Sequence, residues 1–486
     1  MKIASSISAN STIVYLLFGS AILLATALNG IYQSLLFFII PAACLFVFWI
    51  INDLKVLFIL MVAALPFTVE VDLPNGLGLD LPTELFMMVL TGLGILLMFF
   101  NARKISATYF LHPISVLIIL QISWVTFTTL ISTYPTISLK YLLAKTWYIV
   151  PFFCLPFYFL RQKAEVLIFI KYFLFCLAIA CGYVWFNHSQ TGFSFQEINR
   201  SGYPIFRNHV NYACIVLVTT PFYVLYTNNY SGKWKWALFL LGGFLVMSIF
   251  FSYTRAAMIA LLVGILSVYI IKWKLVKLAL IITAISSVFA AQALLKNNEF
   301  ILHAPDYNKT ITHQKFDDLI DATAKGEDIS TMERAYRWVA GYYMIQDKPI
   351  AGFGPGTFYS NYKSYAISLF RTYVSGNPER STIHNYYFLV LVEQGIIGFL
   401  IFIGLILYVL VRGQFLYHQL DGFDKQLLLT AMICFIMILT VNLINDLLES
   451  LKVGAFFFLS LSFIMAADLK YRLNKNREFR DLDQEK

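Results

Sequence analysis

Charged residues are scarce in this sequence. Only 13% of its 486 residues are Asp, Glu, Lys or Arg, whereas 59% are hydrophobic. A soluble domain carries about 25% charged residues, so a single soluble domain is excluded. The apolar runs recur along the whole chain and are continuous rather than alternating. Because a spanning helix needs about 20 apolar residues and must satisfy its own backbone groups, the sequence predicts an all-α, polytopic membrane protein.

Cysteine and ligand-binding motifs are scarce as well. The six cysteines all lie in apolar stretches and no pair has the spacing of metal ligands, so we predict no disulfide framework and no metal site. The glycine-rich segment Ala351–Gly356 follows no predicted strand and lacks the Lys-Ser/Thr ending of a nucleotide-binding loop. We expect this segment to be a tight turn that docks the helix preceding it in the loop, and we expect no cofactor.

Fourteen apolar segments predict membrane-spanning helices, of which the third is short. They lie near residues 12–28, 32–51, 54–68, 84–100, 108–131, 139–160, 166–186, 209–227, 234–252, 256–272, 275–294, 384–411, 425–445 and 450–469. The chain is thereby divided into helices 1–11 in residues 1–294, a large polar loop at 295–383, helices 12–14 in residues 384–470, and a basic tail at 471–486. Within the loop, apolar residues at helical spacing predict a helix over Met332–Gln346.

Lysine and arginine are distributed unevenly between the connections. With the amino terminus in the cytoplasm, the basic residues fall in alternate short connections, among them Lys55, Arg161, Lys233 and Arg412. Basic residues favour the cytoplasmic side of a membrane. The net charge of +9 therefore reflects orientation rather than a nucleic-acid surface, and both termini are predicted to be cytoplasmic. The loop 295–383 then faces the extracytoplasmic side.

Three arginines and one histidine are predicted at the outer ends of spans, where ionisable groups are costly and usually functional. Arg255 ends the tight connection that begins at Ser252, and its place on the outer side favours anion binding over a purely interfacial role. Arg200 and Arg207 precede the eighth span, and each could face a phosphate-bearing ligand or remain solvated. His384 lies where the loop re-enters the membrane and is either structural or a general base for a hydroxyl group.

Four further basic residues are candidates for substrate contact. Lys140 and Lys145 lie on the outer half of the sixth span. The position of Lys140 is explained by a side chain that snorkels to the membrane surface. For Lys145, contact with a lipid phosphate is as good an explanation as snorkelling. Arg334 and Arg337 lie with Trp338 in the predicted helix of the loop.

The order of several motifs resembles the O-antigen ligase and polymerase superfamily. The similar stretches are Ser252–Arg255, the series from Arg334 through Trp338 to Gly352–Phe358, and His384-Asn385 followed by Glu393–Gly398. The resemblance covers residues 200–400 best, whereas the amino-terminal spans match only in being apolar.

This resemblance implies a metal-independent, inverting glycosyltransferase of the cytoplasmic membrane, with a polyprenyl-pyrophosphate-linked glycan as donor. It implies that His384 is the general base and that Arg255 holds the donor pyrophosphate, with Arg200 or Arg207 as the second arginine. The acceptor would be a glycan, lipid or protein, because a ligase, a polymerase and an oligosaccharyltransferase share this chemistry.

The single large loop before His384 favours a ligase among these three. A polysaccharide flippase is the alternative of another class. A transporter concentrates ionisable residues near the membrane midplane, whereas here they gather at one face.

Overall fold

The computed structural model describes residues 54–72, 78–100, 107–295, 329–366 and 382–484. These residues are almost entirely helical, which confirms the predicted fold class of a polytopic helical membrane protein. The first two predicted spans, near residues 12–28 and 32–51, lie outside the described residues, as do two parts of the loop 295–383.

The described helices follow one another with short connections. In chain order they are α1 Leu54–Ala64, α2 Thr83–Phe100, α3 Ala107–Phe110, α4 Pro113–Leu130, α5 Pro135–Ile149, α6 Leu155–Phe159, α7 Lys163–Ser189, α8 Ile198–Gly202, α9 His209–Asn229, α10 Lys235–Phe251, α11 Arg255–Lys272, α12 Val276–Leu295, α13 Ile329–Asp347, α14 Phe358–Tyr362, α15 Tyr386–Tyr417, α16 Gly422–Val441 and α17 Leu451–Gln484. A π-helical turn, Val150–Cys154, joins α5 to α6. Short 3-10 helices cover Leu65–Phe67, Phe195–Glu197 and Leu447–Glu449.

Eight of the described helices are long and apolar enough to cross a membrane. They are α4, α5 with its continuation to Phe159, α7, α9, α11, α15, α16 and α17 up to Lys475. Shorter apolar helices are α1, α2, α10 and α12. Together these helices correspond in order to the predicted spans from 54–68 onward, with ends that differ by a few residues.

Helix α17 is the centre of the bundle. In its apolar window, 94% of the residues are buried inside the protein. Aromatic contacts join it to its neighbours: the ring centroids of Phe456 and Phe173 are 5.1 Å apart, as are those of Phe457 and Phe435. A helix that is apolar on all sides is stable only when surrounded, and α5, α9, α15 and α16, together with Phe173 of α7, supply that surrounding.

Ion pairs lie at the two ends of the bundle. At the end predicted to be cytoplasmic, Arg412 Nη2 is 2.7 Å from Asp468 Oδ1. At the opposite end, Arg207 Nη1 is 2.7 Å from Glu70 Oε1. The candidate residues Arg207, Arg255 and His384 all lie at this second end because their helices run in alternating directions.

A β-hairpin follows α1 and was not predicted from the sequence. Strands β1 Val69–Asp72 and β2 Gly78–Leu81 pair antiparallel, with Glu70 opposite Asp80. At the base of the hairpin, the buried Lys452 ammonium donates to the Pro66 carbonyl at 3.4 Å and to the Ile205 carbonyl at 2.5 Å. This lysine therefore ties the hairpin to the segment that leads into α9.

The glycine-rich turn docks onto a break in α15, whereas the sequence predicted that it docks the helix of the loop. At Gly395 the backbone leaves the helical region, with φ 65° and ψ −171°. The turn uses the backbone next to this break: Phe353 N donates to Val392 O at 3.0 Å and Gly354 N donates to Glu393 O at 2.9 Å. A broken helix is tolerated at membrane depth when protein groups satisfy its freed backbone.

The buried carboxylate of Glu393 fixes the far side of the same turn. Its Oε2 accepts from Gly356 N at 2.8 Å and its Oε1 accepts from Phe358 N at 2.9 Å. One buried side chain thereby satisfies two backbone donors of the turn. The loop is consequently attached to α15 through backbone and side chain together.

We expect Gly395→Ala to destabilise the protein by about 2 kcal/mol or more, because a left-handed backbone is strained for alanine. A Cβ atom at this position would lie 2.2 Å from Ile350 O, which is backbone and cannot rotate away. The matched control is Gly404→Ala on the same helix, where the nearest atom is 3.9 Å away. Thermal unfolding in detergent measures both variants, and an unchanged midpoint for Gly395→Ala would contradict the described break.

Candidate functional site

Two helices begin side by side at the end of the bundle that carries Arg207. Helix α9 begins at His209, after the capping side chain of Asn208. Helix α11 begins at Arg255, and the hydroxyl of Thr254 donates to His209 O at 3.3 Å. This contact holds Arg255 beside the start of α9.

The connection before Arg255 is tight, as predicted. Tyr253 has a left-handed backbone with φ 55°, and its hydroxyl donates to Phe193 O at 2.7 Å. Thr254 N donates to the Ser252 hydroxyl at 3.2 Å. The turn is thus fixed by its own side chains, and it presents Arg255 at the first position of the helix.

Three basic side chains from different helices converge here. The charges of Arg334 on α13 and Arg255 on α11 both act on the imidazole of His209. All three residues are half-buried. We call them the basic cluster, and its two half-buried guanidinium groups favour an anionic ligand.

Arg207 and Arg200 lie in different surroundings. Arg207 is bound to Glu70 of the hairpin, and its side chain is 47% exposed. The side chain of Arg200 is 88% exposed, and its guanidinium is 4.0 Å from Glu197. Arg207 is therefore anchored next to the basic cluster, whereas Arg200 extends into solvent.

His384 lies at the junction of the loop with α15. Its backbone is left-handed, with φ 54°, and its Nδ1 is 3.7 Å from Asp446 Oδ1, an ion-pair distance longer than a hydrogen bond. Asp446 also accepts a hydrogen bond from the Thr382 hydroxyl. Burial raises the pKa of Asp446, but its interactions with His384 and Thr382 outweigh burial and hold that pKa below its usual range. A carboxylate in this position orients the imidazole and stabilises the imidazolium.

Helix α13 holds the segment that precedes His384. The Arg337 guanidinium donates to Thr382 O at 2.8 Å, and the Trp338 indole donates to Ile383 O at 3.1 Å. Arg337 is buried, so its charge serves this internal contact. Its role in substrate contact stays a prediction beside this structural one.

The same helix reaches the basic cluster. Arg334 lies one helical turn before Arg337, and side chains at this spacing are neighbours, with Cβ atoms about 5–6 Å apart. Arg334 acts on His209, and Arg337 holds the segment before His384. Helix α13 therefore brings His384 alongside the basic cluster.

The two lysines of α5 are not part of this arrangement. Lys145 Nζ is 2.8 Å from Glu449 Oε1, and the Tyr141 hydroxyl donates to the same oxygen at 2.8 Å. Lys145 and Tyr141 line a small, partly open pocket between α4, α5, α15 and α17. Lys140 is exposed, in accordance with snorkelling.

An all-helical bundle with eight long apolar helices among its described residues is a multi-pass membrane protein. Residues 236–403 match the family described as O-antigen ligase. The match confirms the predicted resemblance over this region and supports glycan transfer of the ligase or polymerase type. It includes Arg255, Arg334 and His384. No curated protein matches the chain.

Sequence analysis did not single out the carboxylates that face these basic residues. Asp446 and Glu449 lie in the connection between α16 and α17, and Glu70 lies in the hairpin. The sequence does carry a signal for this connection, because an otherwise apolar region is interrupted by polar residues: Asn442, Asn445, Asp446 and Glu449. Their partners could not be read from that pattern.

We expect Asp446→Asn to lower the free energy of unfolding by about 2 kcal/mol at neutral pH. The carboxylate has a lower pKa in the folded than in the unfolded protein. Its contribution is therefore complete above about pH 4 and is lost as the pH falls through the lowered value. Thermal unfolding of wild type and variant at pH 7, 5 and 3.5 should give a difference that shrinks only at the lowest pH.

The matched control is Asp424→Asn, which removes a more exposed carboxylate that pairs with Lys470 at the opposite end. An equal loss in both variants, or a difference that does not change with pH, would contradict the buried pair of Asp446 and His384.

Proposed function

We propose that this protein is a metal-independent, inverting glycosyltransferase that moves a glycan from a polyprenyl-pyrophosphate carrier to an acceptor hydroxyl. The site would face the extracytoplasmic side of the cytoplasmic membrane, with both termini in the cytoplasm. The observation behind this proposal is that α13 contacts both the basic cluster and the segment before His384, the histidine that is paired with Asp446. The family match over residues 236–403 supports the same reaction class.

His384 would act as the general base. Its Nδ1 faces Asp446, which leaves Nε2 for the acceptor hydroxyl. The acceptor oxygen attacks the anomeric carbon, its proton passes to Nε2, and the bond to the pyrophosphate breaks with the electron pair staying on the leaving group. Asp446 is a positioning residue that stabilises the imidazolium formed in this step.

The arginines would stabilise the leaving group. Arg255 and Arg334 approach the same histidine, and guanidinium groups form forked hydrogen bonds to phosphate oxygens. Preorganised cations at a developing anion are an efficient source of catalysis because they need no reorganisation. We assign the remaining donor contact to Arg207 rather than Arg200, since Arg207 is two residues from His209 and is anchored at the hairpin.

The loop would cover the site and shape the acceptor subsite. Its glycine-rich turn is attached to α15 and lies against the connection between α4 and α5, where Ser138 donates to Pro355 O at 2.7 Å. A transferase of the ligase type fits best, since residues 236–403 match the family described as O-antigen ligase. A polymerase or an oligosaccharyltransferase would use the same residues with another acceptor.

His384→Ala should reduce glycan transfer at least about 100-fold, because a positioned base contributes about 100- to 10,000-fold. Purified protein, a polyprenyl-pyrophosphate-linked glycan and a panel of lipid, glycan and protein acceptors provide the assay. His418→Ala is the control, since His418 contacts Ile271 O at the opposite end of the bundle and should retain full activity. Normal transfer by His384→Ala would overturn the assignment.

Arg207→Ala should raise the donor KM about tenfold with little change in acceptor KM, since one charge-assisted hydrogen bond is worth about this factor. Arg200→Ala should change either constant less than about twofold, because its side chain is 88% exposed. Steady-state kinetics at varied donor concentration measures the donor KM of each variant and so distinguishes the two arginines. A larger rise in donor KM for Arg200→Ala than for Arg207→Ala would assign the donor contact to Arg200 instead.

A further inference from the structure

Lys452 is a buried lysine at the start of α17, and it holds two separate segments of the chain. Its side-chain nitrogen donates to Pro66 O at 3.4 Å, at the base of the hairpin, and to Ile205 O at 2.5 Å, two residues before Arg207. The same nitrogen lies 4.0 Å from the centre of the Phe206 ring. Because a buried polar group is costly unless it is hydrogen-bonded, the lysine and both carbonyls fix one another.

The same two segments meet a second time. Arg207 Nη1 is 2.7 Å from Glu70 Oε1, and Glu70 follows Pro66 by four residues. Between these points the base of the hairpin is closed by the buried hydroxyls of Thr68 and Thr83, which are 2.5 Å apart. The contacts therefore form a closed circuit, which runs from the lysine of α17 through both segments to the pair of arginine and carboxylate.

This circuit fixes the direction of the Arg207 guanidinium. Its side chain is 47% exposed, and the pair with Glu70 uses Nη1. A guanidinium has five N–H donors in a rigid fork, so further donors of Arg207 can face a phosphate oxygen while this pair stays intact. A side chain that is already held in its binding orientation loses less entropy when the ligand arrives.

We propose that Lys452 and Glu70 are positioning residues for donor binding, which hold Arg207 from two sides with its guanidinium toward the donor pyrophosphate. Neither residue touches the donor itself. This inference rests on the proposed function, in which Arg207 supplies a donor contact, and it gives the hairpin a role in that contact.

Steady-state kinetics of the purified full chain, with the polyprenyl-pyrophosphate-linked donor and the acceptor varied in turn, tests the proposal. Lys452→Met removes both hydrogen bonds and keeps a long side chain, and Glu70→Gln removes the charge that holds Arg207. We expect each variant to raise the donor KM about three- to tenfold and to change the acceptor KM less than about twofold, because a misdirected arginine loses part of its contact.

The same two substitutions in an Arg207→Ala background separate positioning from a general structural effect. Their effects act through Arg207, so in this background neither should change the donor KM more than about twofold. Arg412→Met is the control, since it breaks the pair with Asp468 at the opposite end of the bundle. It should lower the midpoint of thermal unfolding and leave the donor KM unchanged.

Two results would overturn this inference while leaving the proposed transfer intact. One is an unchanged donor KM in Lys452→Met and Glu70→Gln, and the other is a rise that persists in full without Arg207. If Lys452→Met does not fold, Glu70→Gln decides by the same two results, since its side chain is 37% exposed and its loss breaks the same circuit. An unchanged donor KM in Arg207→Ala itself would instead remove the donor contact on which the inference rests.

Discussion

The contact between α13 and the segment before His384 connects the two halves of the site. Arg337 and Trp338 bind the carbonyls of Thr382 and Ile383, so the histidine cannot shift without moving the loop helix. The same helix carries Arg334 to the basic cluster. The left-handed backbone of His384 is strained, and such a conformation persists only where its surroundings hold it.

The break in α15 makes this contact possible. A continuous helix would leave no free backbone groups for the glycine-rich turn, whereas the left-handed Gly395 opens the helix and lets Phe353 and Gly354 bind to it. Glu393 completes the attachment with its carboxylate. The loop is therefore anchored at both of its described parts, and backbone groups at the break, such as Ile396 N, which donates to Pro349 O at 2.8 Å, bind within the protein.

The order of the helices and the placement of Arg207, Arg255 and His384 at one end of the bundle followed from hydropathy; that this end is extracytoplasmic stays a prediction from the distribution of lysine and arginine. The tight turn at Arg255 could also be predicted, because it depends on local backbone requirements, whereas the docking of the glycine-rich segment onto α15 could not. The hairpin at Glu70 could not, since its short strands carry no long alternating pattern. Nor could the pairing of His384 with Asp446, because it joins residues from separate connections that only the packing of α15 against α16 brings together.

Arg200, Lys145 and Arg337 show that residue type alone does not tell what a basic side chain contacts. All three lie toward the same end of the bundle, yet Arg200 is solvated, Lys145 is paired with Glu449 and Arg337 holds a backbone carbonyl. Arg255 and Arg334 differ from them in that both act on His209.

A cryo-electron microscopy structure of the protein with its polyprenyl-pyrophosphate-linked donor would test the account most directly. We predict that the pyrophosphate lies against Arg255 and Arg334, with the anomeric carbon facing His384. Pyrophosphate density beside Lys145, or a donor glycan on the side of α15 away from His384, would contradict it.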